Sequence, residues 1–342
     1  MRILIVKLTS MGDLIQALPA ISEFHRHFPD ARIDWAIDTN FAEIAAWHPA
    51  IGGIYPTNHR KWSKRPFSIS IWREIFGLIK KIRRKPYDYA IDLQTNFKSA
   101  FITRLARARR VGPAKGCTVE PLIHHFYQQH FQVNRNQLAI YRWQILLSSL
   151  FGYTCNTQQL DFGLSDQTWR KSPRQPDEPY LVFITNASWP NKRLPLSTWV
   201  ALAGFAAQAG LRVLLPWGTG KERALASELA ERTTNATLLP RLGLTELASL
   251  LFHARGALCN DTGLAHLSAA LGRPTVTAYG PTDPGLIAAT GPRAEQLRVD
   301  DYPCLACYRR GCAQNPRNRA QAKCLEGLGA DLLWKSLVAR IG

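Results

Sequence analysis

Residues 260–274 read NDTGLAHLSAALGRP, a cluster of Asn260, Asp261, Thr262 and Gly263 followed by an apolar stretch at helical spacing. Asn260 also closes GALCN (256–260), a short apolar run of strand type. The polar cluster therefore falls between the carboxyl end of a strand and the amino end of a helix. A helix start presents free N–H groups and a partial positive charge, a ready site for an anion. Gly263 lets a ligand approach the backbone closely, and Thr262 and His266 can add side-chain donors. A diphosphate suits such a place. The residues alone equally allow Asp261 or Thr262 to do no more than cap the helix while His266 packs beneath a neighbour.

The same strand-then-helix pattern runs through the chain. In the first half, RILIVKL (2–8) predicts a strand, 14–28 a helix, RIDWAID (32–38) a second strand, and YDYAIDL (87–93) another after a basic helix. In the second half, strands are expected at 180–186, 211–217, 256–260 and 275–280. Helices are expected at 196–209, 222–233, 244–253 and 264–271. Alternation at these lengths predicts an α/β fold with parallel sheets covered on both faces. At 342 residues the chain exceeds an ordinary single domain, so two units are expected. The proline-rich, charged stretch 165–179 reads as the linker between 1–164 and 180–329. Two Rossmann-like domains facing across a cleft follow, with ligands outside the carboxyl ends of the strands.

Hydrophobic residues at 46% and charged residues at 20% describe a globular chain, not a disordered one. No apolar run approaches the roughly 18 to 20 residues of a membrane-crossing helix. The opening MRILIVKLTSMGD reads as a first strand and not as a signal peptide, which predicts a cytoplasmic protein whose seven cysteines are thiols or metal ligands. The net charge is +18, and half of it comes from 59–85, where ten basic residues face one acid, Glu74. Such a concentration points to a polyanionic partner: nucleic acid, an anionic membrane or a phosphorylated substrate.

The run DTGLAHLSAALGRPTVTAYGPTDPGL (261–286), with VKLTSMGDLIQALPA (6–20), resembles the ADP-heptose:lipopolysaccharide heptosyltransferases of glycosyltransferase family 9. DLQTNFKSA (92–100), LPWGTGKE (215–222) and LPRLGLTELASLL (239–251) extend the likeness over both halves. The resemblance implies the GT-B architecture, with 330–342 as a helix packing back on the first domain. It implies inverting transfer of L-glycero-D-manno-heptose from ADP-heptose to the inner Kdo of Kdo2-lipid A, without a metal ion. Addition of the second heptose is the alternative acceptor reading. The implied setting is the cytoplasmic face of the inner membrane of a Gram-negative bacterium, with peripheral attachment.

By the same resemblance, Asp13 is the general base that takes the acceptor proton, and Lys192 is the cation facing the departing diphosphate. A carboxylate within hydrogen-bond reach suffices for the first task, and fixed positive charge suits the second. Ser188, Asp261, Thr262, Gly263 and His266 complete the donor site, with Glu222 at the ribose and Leu242 against the adenine. Without the resemblance, Asp13 and Glu222 read as first-turn carboxylates and Lys192 as a loop lysine. Arg60, Lys61 and Lys64, with Lys98, match basic positions that bind the acceptor. HRKWSKRPF (59–67) lacks helical periodicity and is expected to be a loop that touches acceptor and membrane, whereas 69–85 is expected to pack one face of a helix on the sheet and to carry its cations on the other.

Cys304, Cys307, Cys312 and Cys324 fall in C-x2-C-x4-C-x11-C spacing with four arginines nearby, which would suit a structural zinc or iron; reduced thiols or a disulfide are the other readings. Two rivals to the transferase reading remain at this level. A nucleic-acid-binding protein would explain charge and aromatics. A nucleotide-binding oxidoreductase is disfavoured, because TSMGDL lacks the G-x-G-x-x-G fingerprint.

Overall fold

The computed structural model describes residues 1–65, 67–118, 120–165, 169–172 and 174–342. Contacts divide the chain into two units, Met1–Asp166 and Gln167–Gly342. The first contains strands β1 (Arg2–Val6), β2 (Arg32–Asp38), β3 (Ile51–Thr57), β4 (Tyr89–Asp92), β5 (Arg109–Pro113) and β6 (Gln129–Phe131). The second contains β7 (Tyr180–Ile184), β8 (Arg212–Leu215), β9 (Ala236–Leu238), β10 (Gly256–Asn260), β11 (Thr275–Ala278) and β12 (Ala294–Leu297).

Each unit holds one parallel sheet. The orders are β3-β2-β1-β4-β5-β6 and β12-β11-β10-β7-β8-β9. Numbered from its own first strand, each sheet runs 3-2-1-4-5-6, the doubly wound order of dinucleotide-binding folds. The strand order reverses between β1 and β4 in one unit and between β7 and β10 in the other, and the crevice outside the strand ends at that point is where such sheets bind ligands. The central strands earn their position by composition. Ile3, Leu4, Ile5 and Val6 of β1 have no exposed surface, as expected of strands covered on both faces.

The helix expected over 14–28 is two, Met11–Ile15 and Leu18–His27, the second carrying Pro19 in its first turn. The expected linker is only partly one. Residues 166–168 and 173 lie outside the described residues, but Trp169 and Gln175 are buried, and Gln175 Nε2 donates to Ser249 Oγ at 3.0 Å. These apolar and amide groups attach Trp169 and Gln175 to the second unit. The last helix, Ala330–Ile341, expected to pack back on the first unit, sets Leu333 and Leu337 into the core of the second with Leu258 and Val276. Its buried stripe matches the face of β10 and β11, which fixes it there.

Candidate active site

At the first switch point the chain leaves β1 through Lys7, Leu8, Thr9 and Ser10 into helix Met11–Ile15. Asp13 lies in the first turn, exposed, and its Oδ2 accepts from Ser10 N at 3.0 Å and Ser10 Oγ at 2.6 Å. The carboxylate is thus held in one orientation at the strand's carboxyl end. Capping the helix and presenting a base are compatible uses of that position.

Five residues to which sequence reasoning gave no role brace this turn: Gln94, Asp92, Tyr127, Gly112 and Lys7. Gln94 Oε1 accepts from Leu8 N at 3.1 Å and Thr9 N at 3.0 Å, tying the loop after β1 to the loop after β4. Buried Asp92 shapes that second loop, accepting from Gln94 N at 2.8 Å, Thr95 N at 2.9 Å and the Tyr127 hydroxyl at 2.6 Å. Burial raises its pKa in spite of these donors. Gly112 makes room for the tyrosine, since a Cβ there would fall 2.4 Å from the Tyr127 ring. Buried Lys7 donates to Leu93 O at 3.0 Å and lies over the Trp143 ring. Burial pulls its pKa down, opposed by the charges of Asp13 and Asp92. The sequence signal for Lys7, Asp92 and Gln94 is their place near strand ends, inside the runs 6–20 and 92–100 that carry the resemblance, but no pattern assigns them this bracing.

At the second switch point, Lys192 sits on the short turn Pro190–Lys192 after β7. Its Nζ is 2.5 Å from Asp261 Oδ2, with both residues buried, and 4.7 Å from the Trp189 ring centroid. Thr282 Oγ1 donates to the same carboxylate oxygen at 2.6 Å. Lys192, which reads as a loop lysine only without the resemblance, is therefore half of a buried ion pair, and Asp261 is its partner. Asn260 fastens the two loops together, donating to Thr185 O at 2.6 Å and accepting from Leu194 N at 3.0 Å. Thr262, in an extended conformation, precedes helix Gly263–Ala270, whose first turn carries buried His266. Ser188 is exposed on the loop after β7.

Glu222 lies in the first turn of helix Gly220–Glu231 after β8, where its Oε2 accepts from Gly218 N and Thr219 N, both at 2.8 Å. These bonds hold the helix start and place the carboxylate at the strand end. Leu242 is half-buried in the loop after β9.

The stretch expected to be a loop at 59–67 is largely helical, His59–Lys64, with Asn58 Oδ1 accepting from Lys61 N at 3.3 Å; Pro66 lies outside the described residues. Trp62 explains the helix, since its burial among Leu4, Val6 and Ile71 anchors one side. Arg60, Lys61, Lys64 and Arg65 line a cavity of about 330 Å³ with Ser70 and Ile71. Lys61 pairs with Glu74 at 2.7 Å. Exposed Lys98, at the start of helix Phe97–Leu105, lies close enough to His59 to help burial lower that imidazole's pKa to about 4.

The profile of Glycosyltransferase family 9 (heptosyltransferase) matches residues 75–317. The chain is 36% identical over 320 residues to lipopolysaccharide heptosyltransferase 1 of Pseudomonas aeruginosa, covering 92% of this chain and 88% of that protein. The chain belongs to glycosyltransferase family 9. Its fold matches the E. coli heptosyltransferase WaaC with ADP at 32% identity and a TM-score of 0.85, covering 100% of both chains. WaaC with ADP-2-deoxy-2-fluoro heptose matches with a TM-score of 0.82, again at 32% identity and 100% of both chains. Family 9 membership makes the protein an enzyme, a glycosyltransferase with two units of GT-B type, and decides between the readings that charge and topology left open.

The cysteine segment extends past the end of the family 9 match, since Cys304, Cys307 and Cys312 fall inside it and Cys324 outside. The four line one cavity of about 420 Å³ together with Asn191 and Tyr302. All seven cysteines are free thiols. Burial, then the neighbouring thiols, push Cys304 up and Cys324 to about 11. Among the described residues no group of three or more His, Cys, Asp or Glu side chains is arranged to hold a metal ion. The segment abuts the Lys192 turn. Asn191 Nδ2 donates to Arg309 O at 2.8 Å, and Arg310 lies over the Trp189 ring.

Proposed function

We propose that the protein transfers L-glycero-D-manno-heptose from ADP-heptose to the inner Kdo of Kdo2-lipid A, with inversion at the anomeric carbon. The observation that carries this reading is the full-length likeness to the E. coli heptosyltransferase WaaC with ADP, together with a buried lysine at the switch point of this chain's second sheet. In the reaction the bond from the anomeric carbon to the diphosphate breaks and a bond to the acceptor oxygen forms. The acceptor proton passes to Asp13. Lys192 and the N–H groups at Thr262 and Gly263 hold the charge that grows on departing ADP, and Asp261 keeps Lys192 aimed. Ser188 and His266 add donors to the diphosphate, Glu222 takes the ribose hydroxyls and Leu242 lies against the adenine. Arg60, Lys61, Lys64 and Lys98 meet the phosphates and carboxylates of the acceptor, and the protein works at the cytoplasmic face of the inner membrane as a peripheral protein. Among the described residues no helix is long and apolar enough to cross a membrane.

The chemistry uses no metal ion. A structural zinc or iron held by Cys304, Cys307, Cys312 and Cys324 is a separate part of the reading, supported by their spacing and shared cavity, and requires the thiols to close around it. Metal analysis of protein purified without chelator tests it, one ion per chain being expected and none overturning it. Incubation with ADP-heptose and Kdo2-lipid A, followed by mass spectrometry and NMR, tests the transfer. The expected product carries one added heptose with inverted anomeric configuration; retention of configuration would remove the single displacement and Asp13's role.

A further inference from the structure

Helix Ile69–Arg83 buries Ile71, Leu78 and Ile82 against Trp62 and the first sheet. A helix with one partner would normally turn charge to solvent on its other side, and the sequence predicts a cationic outer face. The structure instead places large apolar side chains there. Phe67 is 95% exposed, Ile69 72%, Trp72 48% and Phe76 62%. Positions 69, 72 and 76 follow i, i+3, i+7 spacing and share one stripe, opposite the buried one. The Trp72 and Phe76 rings lie 5.9 Å apart. Exposed Arg73, Lys80, Arg83 and Arg84 surround the stripe, and among the described residues none of them has an ion-pair partner.

We propose that this stripe is a docking surface for an anionic lipid leaflet, with Phe67, Ile69, Trp72 and Phe76 entering the acyl boundary and the flanking cations meeting lipid phosphates. Charge complementarity selects the partner. Unneutralised cations around a contiguous apolar strip match an interface that is anionic at its surface and apolar beneath, and Trp at such a boundary places its ring at headgroup level. A nucleic acid would leave Ile69 and Phe76 unused. A second copy of this chain would bring two sets of unpaired cations together. The inference rests on the proposed lipid-borne acceptor only for its purpose, because vesicle binding is measured without any transfer.

The test is sedimentation with vesicles of phosphatidylethanolamine and phosphatidylglycerol, compared with vesicles of phosphatidylcholine alone. The parent is expected to bind the anionic vesicles, and Trp72→Ser/Phe76→Ser to bind them at least about tenfold more weakly, since each residue removes an inserted apolar side chain. Brominated lipid should quench a part of the tryptophan fluorescence that Trp72→Phe lacks. Both side chains are exposed, so the melting temperature should hold, as should transfer to a delipidated acceptor saccharide. Equal binding of parent and double variant, or loss of all parent binding in high salt, would overturn insertion. So would a parent dimer that the double substitution disperses, because the stripe would then join two copies. A parent that binds vesicles but transfers no heptose would overturn the proposed function and leave this surface standing.

Discussion

Lys192→Met keeps the length of the side chain and removes its charge. Asp261, only 5% exposed, would then retain the Thr282 hydroxyl but no cation at the 2.5 Å position. Removing one member of a buried pair leaves the other charged and desolvated, at a cost of about 3–5 kcal/mol. For a unit of this size, that corresponds to a fall of roughly 10 °C in melting temperature. Asp261→Asn should cost a similar amount by stranding Lys192. The double variant Lys192→Met/Asp261→Asn removes both charges, keeps an acceptor for Thr282, and should recover most of the lost stability. Transfer should not recover with it, because the cation facing the diphosphate is still missing; ADP release should stay about 100-fold or more below the parent. Thermal unfolding followed by tryptophan fluorescence gives the first quantity and ADP release the second. Two results would refute the reasoning. One is a single substitution costing under about 1 kcal/mol, as for an exposed pair; the other is a double variant whose loss equals the sum of the singles.

Three further outcomes follow from the geometry. Asp13→Asn should keep the hydrogen-bonding shape of the turn and the affinity for ADP-heptose while lowering kcat by about 10²–10⁴-fold; near-normal kcat in steady-state assays would remove Asp13 from the chemistry. Gln94→Leu strips the acceptor from the N–H groups of Leu8 and Thr9, so stability should fall by about 1–3 kcal/mol and kcat with it, while ADP affinity is unchanged in calorimetry. Buried His48 accepts from Ala50 N through Nδ1 at 3.2 Å, and burial lowers its pKa from 6.5 to about 4. The unfolded chain binds that proton more tightly, so the contribution is complete above pH 6.5 and is lost as pH falls toward 4, about 3 kcal/mol in all. Urea unfolding of the parent and His48→Gln across that range should show a shallower slope in the variant.

How much of this was legible depended on which forces act locally. Strands β2 and β10 have the bounds that their β-branched and apolar runs predict, as does helix Leu244–His253. The missed strands are mostly sheet edges. β3 carries Gly52, Gly53 and Pro56, β6 is three residues long, and β9 and β12 are half-buried, so none presents a continuous apolar run. Inner strand β5 opens with Arg109 and Arg110 and escaped for the same reason. In the site, Asp13 and the Thr262 to His266 turn could be placed because each sits at a junction of strand and helix in the sequence itself. The Lys192–Asp261 pair joins residues 69 positions apart, and the Gln94 brace spans more than 80, so no local pattern announces either. The exposed aromatics of helix Ile69–Arg83 were visible as residues, but which of its two apolar stripes would be covered was a question of packing.

ADP release, measured for the purified protein with ADP-heptose and, in separate reactions, Kdo2-lipid A, Kdo2-lipid A already carrying one heptose, or no acceptor, tests the central claim most directly. Release with the first acceptor alone is the predicted result. Release only with the heptosylated acceptor would move the chain to the second transfer, and no release with either would contradict the donor assignment itself.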